Sequence, residues 1–468
     1  MKTKTLLSLV LGLASATSLM ATTVDVYITG STAFRANVFT ACARLYSGST
    51  PSAIYFGTSA IGGDANNNSS TASWCMTGTP VTGLTNIGTA NTLIIHALFN
   101  GSIQGIKTVV QSQQLTFPVA SGTFLSNSIA GQTPVAGVPL YATSSTVNKT
   151  PTIGFSDSSA DACPFPATGN YAEEEVAIAP FVMTKSVGSG NAALAVSNIN
   201  NVSWEQLEYG IPAGRIPLSA WTYKSADTNS WVYLCQRTLD SGTRRCETAG
   251  NYYQYGDPVG IYLYDKTNNV WYVPTVLANS SFASAPNGVA GPAGLANANL
   301  GWGYGYVGGG DIKNSLNLTG TSNQAIAYLS FNDAKGVGAS NWANVVSFNG
   351  IWPTAAGAGV HGNTGTNDFS PITSGYYPCW GKEVLVHLVD PTQLTVNDQT
   401  ITKTQIGSQT TPGSFLGVFN AQTLINGGSP LVGSIENEIE LSKASATAIR
   451  LSDMQSKRGN VGGIIAPF

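Results

Sequence analysis

Val24-Asp25-Val26-Tyr27-Ile28-Thr29-Gly30-Ser31-Thr32-Ala33-Phe34 carries the architecture of the chain in miniature. Val24 to Thr29 is an alternating, β-branched run, the pattern of a strand, and Gly30 ends it. Phe34 to Leu45 then reads as a helix. Strand, polar Gly-Ser-Thr turn and helix form the opening of an α/β unit.

The same grammar recurs downstream. Asn91 to Ala97 is a second apolar run, followed by Asn100-Gly101-Ser102 and a helix-compatible stretch from Ile103 to Gln111. Thr152 to Phe155 is a third strand candidate, ending in Ser156-Asp157-Ser158, and Val176 to Met183 a fourth. Ser47 to Thr89, rich in Gly, Ser, Thr and Asn, is expected to form long surface loops. From Trp221 to Gly310 aromatic residues are dense. There Ile261–Tyr264 and Val270–Val273 predict a β-hairpin, and Gly301 to Gly310 a glycine-aromatic loop. Ala325–Phe331 and Glu383–Leu388 return to buried-strand character, and Ser442 to Arg458 is helix-compatible.

Composition bounds the function. Of 468 residues, 43% are hydrophobic and 10% charged, against roughly 25% charged in an average soluble chain. Lys plus Arg is 21 and Asp plus Glu 24, a net charge of -3. Nucleic acid is excluded as a partner on that balance, because phosphate contacts need clustered positive charge.

Met1-Lys2-Thr3-Lys4, an apolar run from Leu6 to Leu13 and then small residues read as a signal peptide over 1–21, cleaved after Ala21 or alternatively Ala16. A periplasmic or extracellular location is expected. No later stretch is long and apolar enough for a transmembrane segment in the mature chain. Six cysteines, Cys42, Cys75, Cys163, Cys235, Cys246 and Cys379, fit three disulfides in an exported protein. Spacing favours Cys235–Cys246 and Cys42–Cys75, which leaves Cys163–Cys379. Zinc is the rival use of cysteine, but there is no C-x-x-C pair, and His96, His361 and His387 are scattered. No metal and no cofactor are expected.

Three polar turns follow apolar runs: Gly30-Ser31-Thr32, Gly101-Ser102-Ile103 and Ser156-Asp157-Ser158. Open α/β sheets bind ligands at the carboxyl ends of their strands. Hydroxyls at helix N-termini sit beside unpaired N–H groups, which favour an anion. Arg237-Thr238-Leu239-Asp240-Ser241-Gly242-Thr243 adds a cation and another Ser-Gly-Thr turn, and Gly242 allows close backbone approach. Singly, each turn is more often a cap. Their order, each after an apolar run, describes an oxyanion receptor.

Read in order, I-T-G-S-T-A-F, G-S-I-Q-G-I at Gly101, G-F-S-D-S-S-A at Gly154 and R-T-L-D-S-G-T at Arg237 resemble the phosphate-binding proteins of bacterial phosphate ABC importers. Weaker matches are the apolar stretch with Pro180, W-E-Q-L-E-Y-G at Trp204 and A-I-A-Y-L-S-F at Ala325. The resemblance implies a two-lobe periplasmic-binding-protein (type 2) α/β fold with a hinge and a β-rich insertion in the second lobe. Residues 22–180 and 325–468 would form the first lobe and 181–324 the second, with hinge strands near Ala177–Met183 and Ala325–Phe331. It implies that Ser31, Thr32 and Ser102 donate to inorganic phosphate, that Asp157 accepts the anion's proton, that Arg237 supplies charge, and that Ser241, Gly242 and Thr243 donate from the other lobe. An ABC-importer permease is the implied partner. The chain departs from the family at Leu239, where an acid is usual; Asp240 comes one later.

Catalysis is not expected: there is no G-x-S-x-G elbow and no His near a candidate nucleophile in sequence. The alternative is an exported surface, adhesion or matrix protein reusing the fold, which the low charge and long Asn/Ser/Thr-rich loops would suit.

Overall fold

A computed structural model describes residues 22–57, 72–126, 136–160, 171–239, 241–253, 257–265, 268–272, 289–290, 299–300, 305–306, 308–339, 342–355, 368–389, 401–420, 424–425, 429–430, 448–458 and 465–467. The expected signal peptide, Cys163, Asp240, His361 and residues 301–304 and 307 of the glycine-aromatic loop lie outside them.

The centre is a mixed, fourteen-stranded sheet. Twelve strands form its main path. In chain order they are β1 (Thr23–Gly30), β2 (Ala53–Gly57), β3 (Ser73–Gly78), β4 (Thr92–Leu98), β5 (Thr123–Ser126), β6 (Leu140–Thr143), β7 (Ile153–Ser156), β8 (Tyr171–Lys185), β9 (Arg215–Pro217), β10 (Trp231–Cys235), β11 (Ala325–Ser330) and β12 (Trp380–Leu388). Across the sheet the order is β9-β10-β11-β8-β12-β7-β1-β4-β3-β2-β6-β5. Six helices matter here: α1 (Arg35–Arg44), α2 (Ser102–Val110), α3 (Trp204–Ala213), α4 (Gly242–Gly250), α5 (Gly309–Leu316) and α6 (Phe331–Ala334). No helix among the described residues is long and apolar enough to cross a membrane.

β1 is an inner strand, parallel to β4 on one side and β7 on the other. Its alternation is used on both faces. Val24, Val26 and Ile28 join a core with α1, β2, β3 and β4. Tyr27, on the opposite face, packs with Leu98 and Phe117. A second large core gathers β8, β10, β11, α3 and α5.

β8 runs from Tyr171 through Glu173–Glu175 and the apolar stretch Val176–Met183 to Lys185. It pairs with β12 through Pro180 and with β11 from Phe181 onward. Pro180, with no N–H to donate, stands where the partner changes. The Ile261–Val273 hairpin is present as Leu263–Asp265 paired with Val270–Tyr272.

Three expectations are corrected. The 47–89 region holds two strands of the main sheet, β2 and β3, because its sparse apolar residues cluster as A-I-Y-F and S-W-C-M. The described part of Ser442–Arg458 is not helical: it is a 3-10 turn at Leu451–Asp453 and a strand at Ser456–Arg458. Its helical spacing loses to pairing with Ile465–Pro467. Finally, no disulfide joins the described cysteines, all of which are buried. Cys42 lies in the core beneath α1 together with Trp74 and Met76. Cys75, between those two in β3, therefore points to the other face of the sheet. Cys246 aims its thiol at the Asp157 carbonyl, 3.2 Å away, not at Cys235.

Candidate functional site

Three strand ends are knitted together by backbone hydrogen bonds. After β1, Ser31 N donates to Phe155 O of β7 at 2.8 Å, and Gly101 N, just before α2, donates to Gly30 O at 3.0 Å. The crossing is too tight for side chains. Gly30 has φ +124°, and a Cβ there would stand 2.0 Å from Phe155 O. A Cβ on Gly105 of α2 would stand 2.6 Å from Gly30 Cα. Ser31, Ser102 and Asp157 are thus fixed at one corner of the sheet, all buried.

α4 closes on this corner from far along the chain. Ser241 caps it, its hydroxyl accepting from Arg244 N at 3.2 Å, which leaves the Ser241 O–H able to donate elsewhere. Gly242 lies so near that a Cβ would meet Asp157 Oδ1 at 2.1 Å and Ser102 Cβ at 2.8 Å. Thr243 Oγ1 donates to Asp157 Oδ2 at 3.2 Å. Of the eight residues singled out from the sequence, Ser31, Ser102, Asp157, Gly242 and Thr243 converge in this way. Ser241 adjoins them in the chain. Thr32 sits half-buried in the turn leading to α1.

Arg237 is 5% exposed and follows the end of β10. Burial lowers the pKa of its guanidinium, while the carboxylates of Asp333, Asp157 and Asp311 oppose that, and Arg35 adds like-charge repulsion. Asp333 and Asp311 are therefore the acids that accompany Arg237 where the sequence has Leu239. Ser330 Oγ donates to Asp333 Oδ2 at 2.8 Å, and Gly308 N donates to Asp311 Oδ2 at 2.9 Å, so both carboxylates are held in place. Neither acid was singled out from the sequence. Asp333 follows the apolar run of β11 just as Asp157 follows that of β7, and this strand-end signal could have found it.

A third residue missed by sequence reading is Glu383, read there as part of a buried strand. β7 and β12 are antiparallel with Val384 opposite Ser156, so Glu383, the residue before Val384, lies beside the point where the chain leaves β7 for Asp157. It is fully buried. Burial first, then the Asp157 charge, push its pKa well up, and Ser31 opposes them. Ser31 lies near enough to favour the ionised form, but no hydrogen bond of acceptable geometry joins the two. Asp157 is pushed up to about 6 by burial, against its own backbone N–H, Arg237 and Thr243.

No serine of this corner is hydrogen-bonded to a described histidine. His96 spends its two ring nitrogens on Pro118 O and Asp25. His387 contacts its neighbour's carbonyl, Leu388 O, and Glu174. The arrangement gathers hydroxyls, a helix N-terminus, a guanidinium and carboxyl groups, with the Thr243 hydroxyl donating to Asp157.

No model of a known protein family matches the chain, and no curated protein matches it. Among solved structures it is similar to the crystal structure of PstS from Borrelia burgdorferi, at 12% identity and a TM-score of 0.29, covering 80% of this chain and 90% of that one.

Proposed function

We propose that the protein captures inorganic phosphate at the corner formed by Ser31, Thr32, Ser102, Asp157, Arg237, Ser241, Gly242 and Thr243, outside the cytoplasm, and hands it to a membrane importer without transforming it. The observation that carries this reading is the contact of Gly242 with both Asp157 and Ser102. It brings the first turn of α4 to the ends of β4 and β7.

The chemistry is that of an oxyanion receptor. The α4 N-terminus and the hydroxyls donate, and Arg237 supplies a fork of N–H groups. Asp157 selects among anions. Phosphate near neutral pH keeps a proton that the carboxylate accepts, whereas sulfate keeps none and is repelled. Several charge-assisted bonds of about 1.5–3 kcal/mol each support tight binding after desolvation. In this reading the segments 22–180 and 325–468 form one lobe and 181–324 the other. Phosphate held by Thr32, Ser102 and Asp157 draws Arg237 and Ser241 onto itself as the lobes close.

Equilibrium dialysis of the phosphate-stripped protein against labelled phosphate, with excess unlabelled sulfate, tests the proposal. Retention of label in the presence of sulfate is the expected result. Loss of label to sulfate, or no retention at all, overturns it.

A further inference from the structure

Glu383 belongs to the candidate site, yet the proposed capture of phosphate gives it no role. Among the described residues, neither of its carboxyl oxygens has a hydrogen-bond partner, although the residue is fully buried. The Oδ1 atom of Asp157 and the hydroxyl of Ser31 share that condition. Buried polar groups are nearly always paired, and a bare buried carboxylate is far too unfavourable to persist. Three such groups gather where β1 and β7 end beside β12: Glu383 adjoins Val384, which pairs with Ser156, and its carboxyl group feels both Asp157 and Ser31, so the three can share one partner.

Charge balance points the same way. Among the described residues, Arg237 feels the carboxylates of Asp333, Asp157 and Asp311 and the like charge of Arg35, Glu247 feels Arg244, and Glu383 feels Asp157. Lys382, next to Glu383 in β12, is on the other face and pairs with Glu175. Thr243 and Cys246 contribute only hydrogen bonds, to the Asp157 carboxylate and carbonyl. Each carboxylate that stays ionised beside an entering anion repels it. Two carboxyl groups buried close together do not both ionise readily.

We propose that Glu383 is a further ligand of the bound phosphate, present as the neutral acid and donating its O–H to one anion oxygen while Asp157 accepts the anion's proton through another. The inference rests on the phosphate reading above. It makes the site a matched pair, one carboxyl giving and one taking, and it ties affinity to the proton on Glu383.

The test is calorimetric titration of phosphate into wild type, Glu383→Gln and Glu383→Ala from mildly acidic to mildly alkaline buffer. Glu383→Gln keeps a donor that cannot ionise. Its affinity should stay within about threefold of wild type on the acid side, and its ratio to wild type should rise as pH rises and wild-type Glu383 ionises. Glu383→Ala should bind about tenfold or more weakly on the acid side. An infrared difference spectrum on wild type gives a second readout, independent of how the variants fold. Adding phosphate should shift a neutral-carboxyl C=O band that Glu383→Gln lacks. Wild type that binds phosphate, with no such band shift and with both variants matching it at every pH, overturns the role of Glu383 alone. Wild type that binds no phosphate overturns the phosphate reading and this inference with it.

Discussion

Thr243 Oγ1 donates to Asp157 Oδ2 at 3.2 Å, across 86 residues of chain. That bond stabilises the ionised form of Asp157 against the burial that raises its pKa to about 6. Thr243→Val removes the donor and keeps the shape. The pKa of Asp157 then climbs further, and the carboxylate needed as acceptor is less populated near neutral pH. Phosphate affinity is expected to fall about tenfold, with the acid limb of its pH profile moved upward. A profile unchanged in position would separate Thr243 from Asp157.

Gly242 tolerates no side chain. A Cβ would overlap Asp157 Oδ1 at 2.1 Å, and both sides of the contact belong to packed elements. Gly242→Ala is expected to push α4 away from the corner, reducing stability by about 1–3 kcal/mol and weakening phosphate binding. Urea unfolding monitored by Trp fluorescence reads the first effect and dialysis the second.

Arg237 and Asp333 should behave as a unit. Arg237→Lys keeps the charge and loses the planar fork, so binding should drop by about tenfold or more. Asp333→Asn removes the largest carboxylate influence on Arg237 and should weaken binding less. In the double variant the two losses should fall short of their sum, as coupled positions do. Strict additivity in a double-mutant cycle would show that Asp333 does not position Arg237.

Stability should depend on pH in a defined direction. Glu247 is raised to about 8, by burial above all, so the folded state holds a proton that the unfolded chain releases above its ordinary 4.5. That disfavours folding as pH rises from 4.5 through about 8. For His96, burial opposes the charge, but Cys75, Asp25 and Pro118 outweigh it and raise the value to about 10. Its stabilisation is full below 6.5 and is lost as pH rises through about 10. Glu174 is lowered: burial resists, but His387, Gln409 and Asn420 prevail. Its contribution is lost in acid. Thermal unfolding should therefore peak in mildly acidic buffer and decline toward alkali, and Glu247→Gln should flatten that decline.

Much of the fold was legible because its strands are local patterns. The β-branched alternation of β1, the apolar runs of β4 and β8 and the turns after them needed no partner to be seen. β2 and β3 were hidden in a Ser/Gly-rich background, since strands of five or six residues barely outweigh their flanks. The cysteines misled because spacing along the chain says nothing about which face of a sheet a thiol occupies: Cys42 and Cys75 face apart. At the site, Ser31, Ser102, Asp157 and Thr243 were visible as strand-end turns. Glu383 was not, since its place near Asp157 follows from the pairing of two strands more than 200 residues apart. Asp333 stands beside Arg237 for a similarly non-local reason.

The central claim is one doubly charged guest held by Arg237 and selected by Asp157. Its most direct measurement is calorimetric titration of phosphate, then sulfate, into phosphate-stripped wild type and Asp157→Asn. Wild type should bind phosphate at one site per chain and ignore sulfate, while Asp157→Asn should bind phosphate more weakly and admit sulfate. No heat from phosphate in wild type, or equal binding of the two anions, would contradict it.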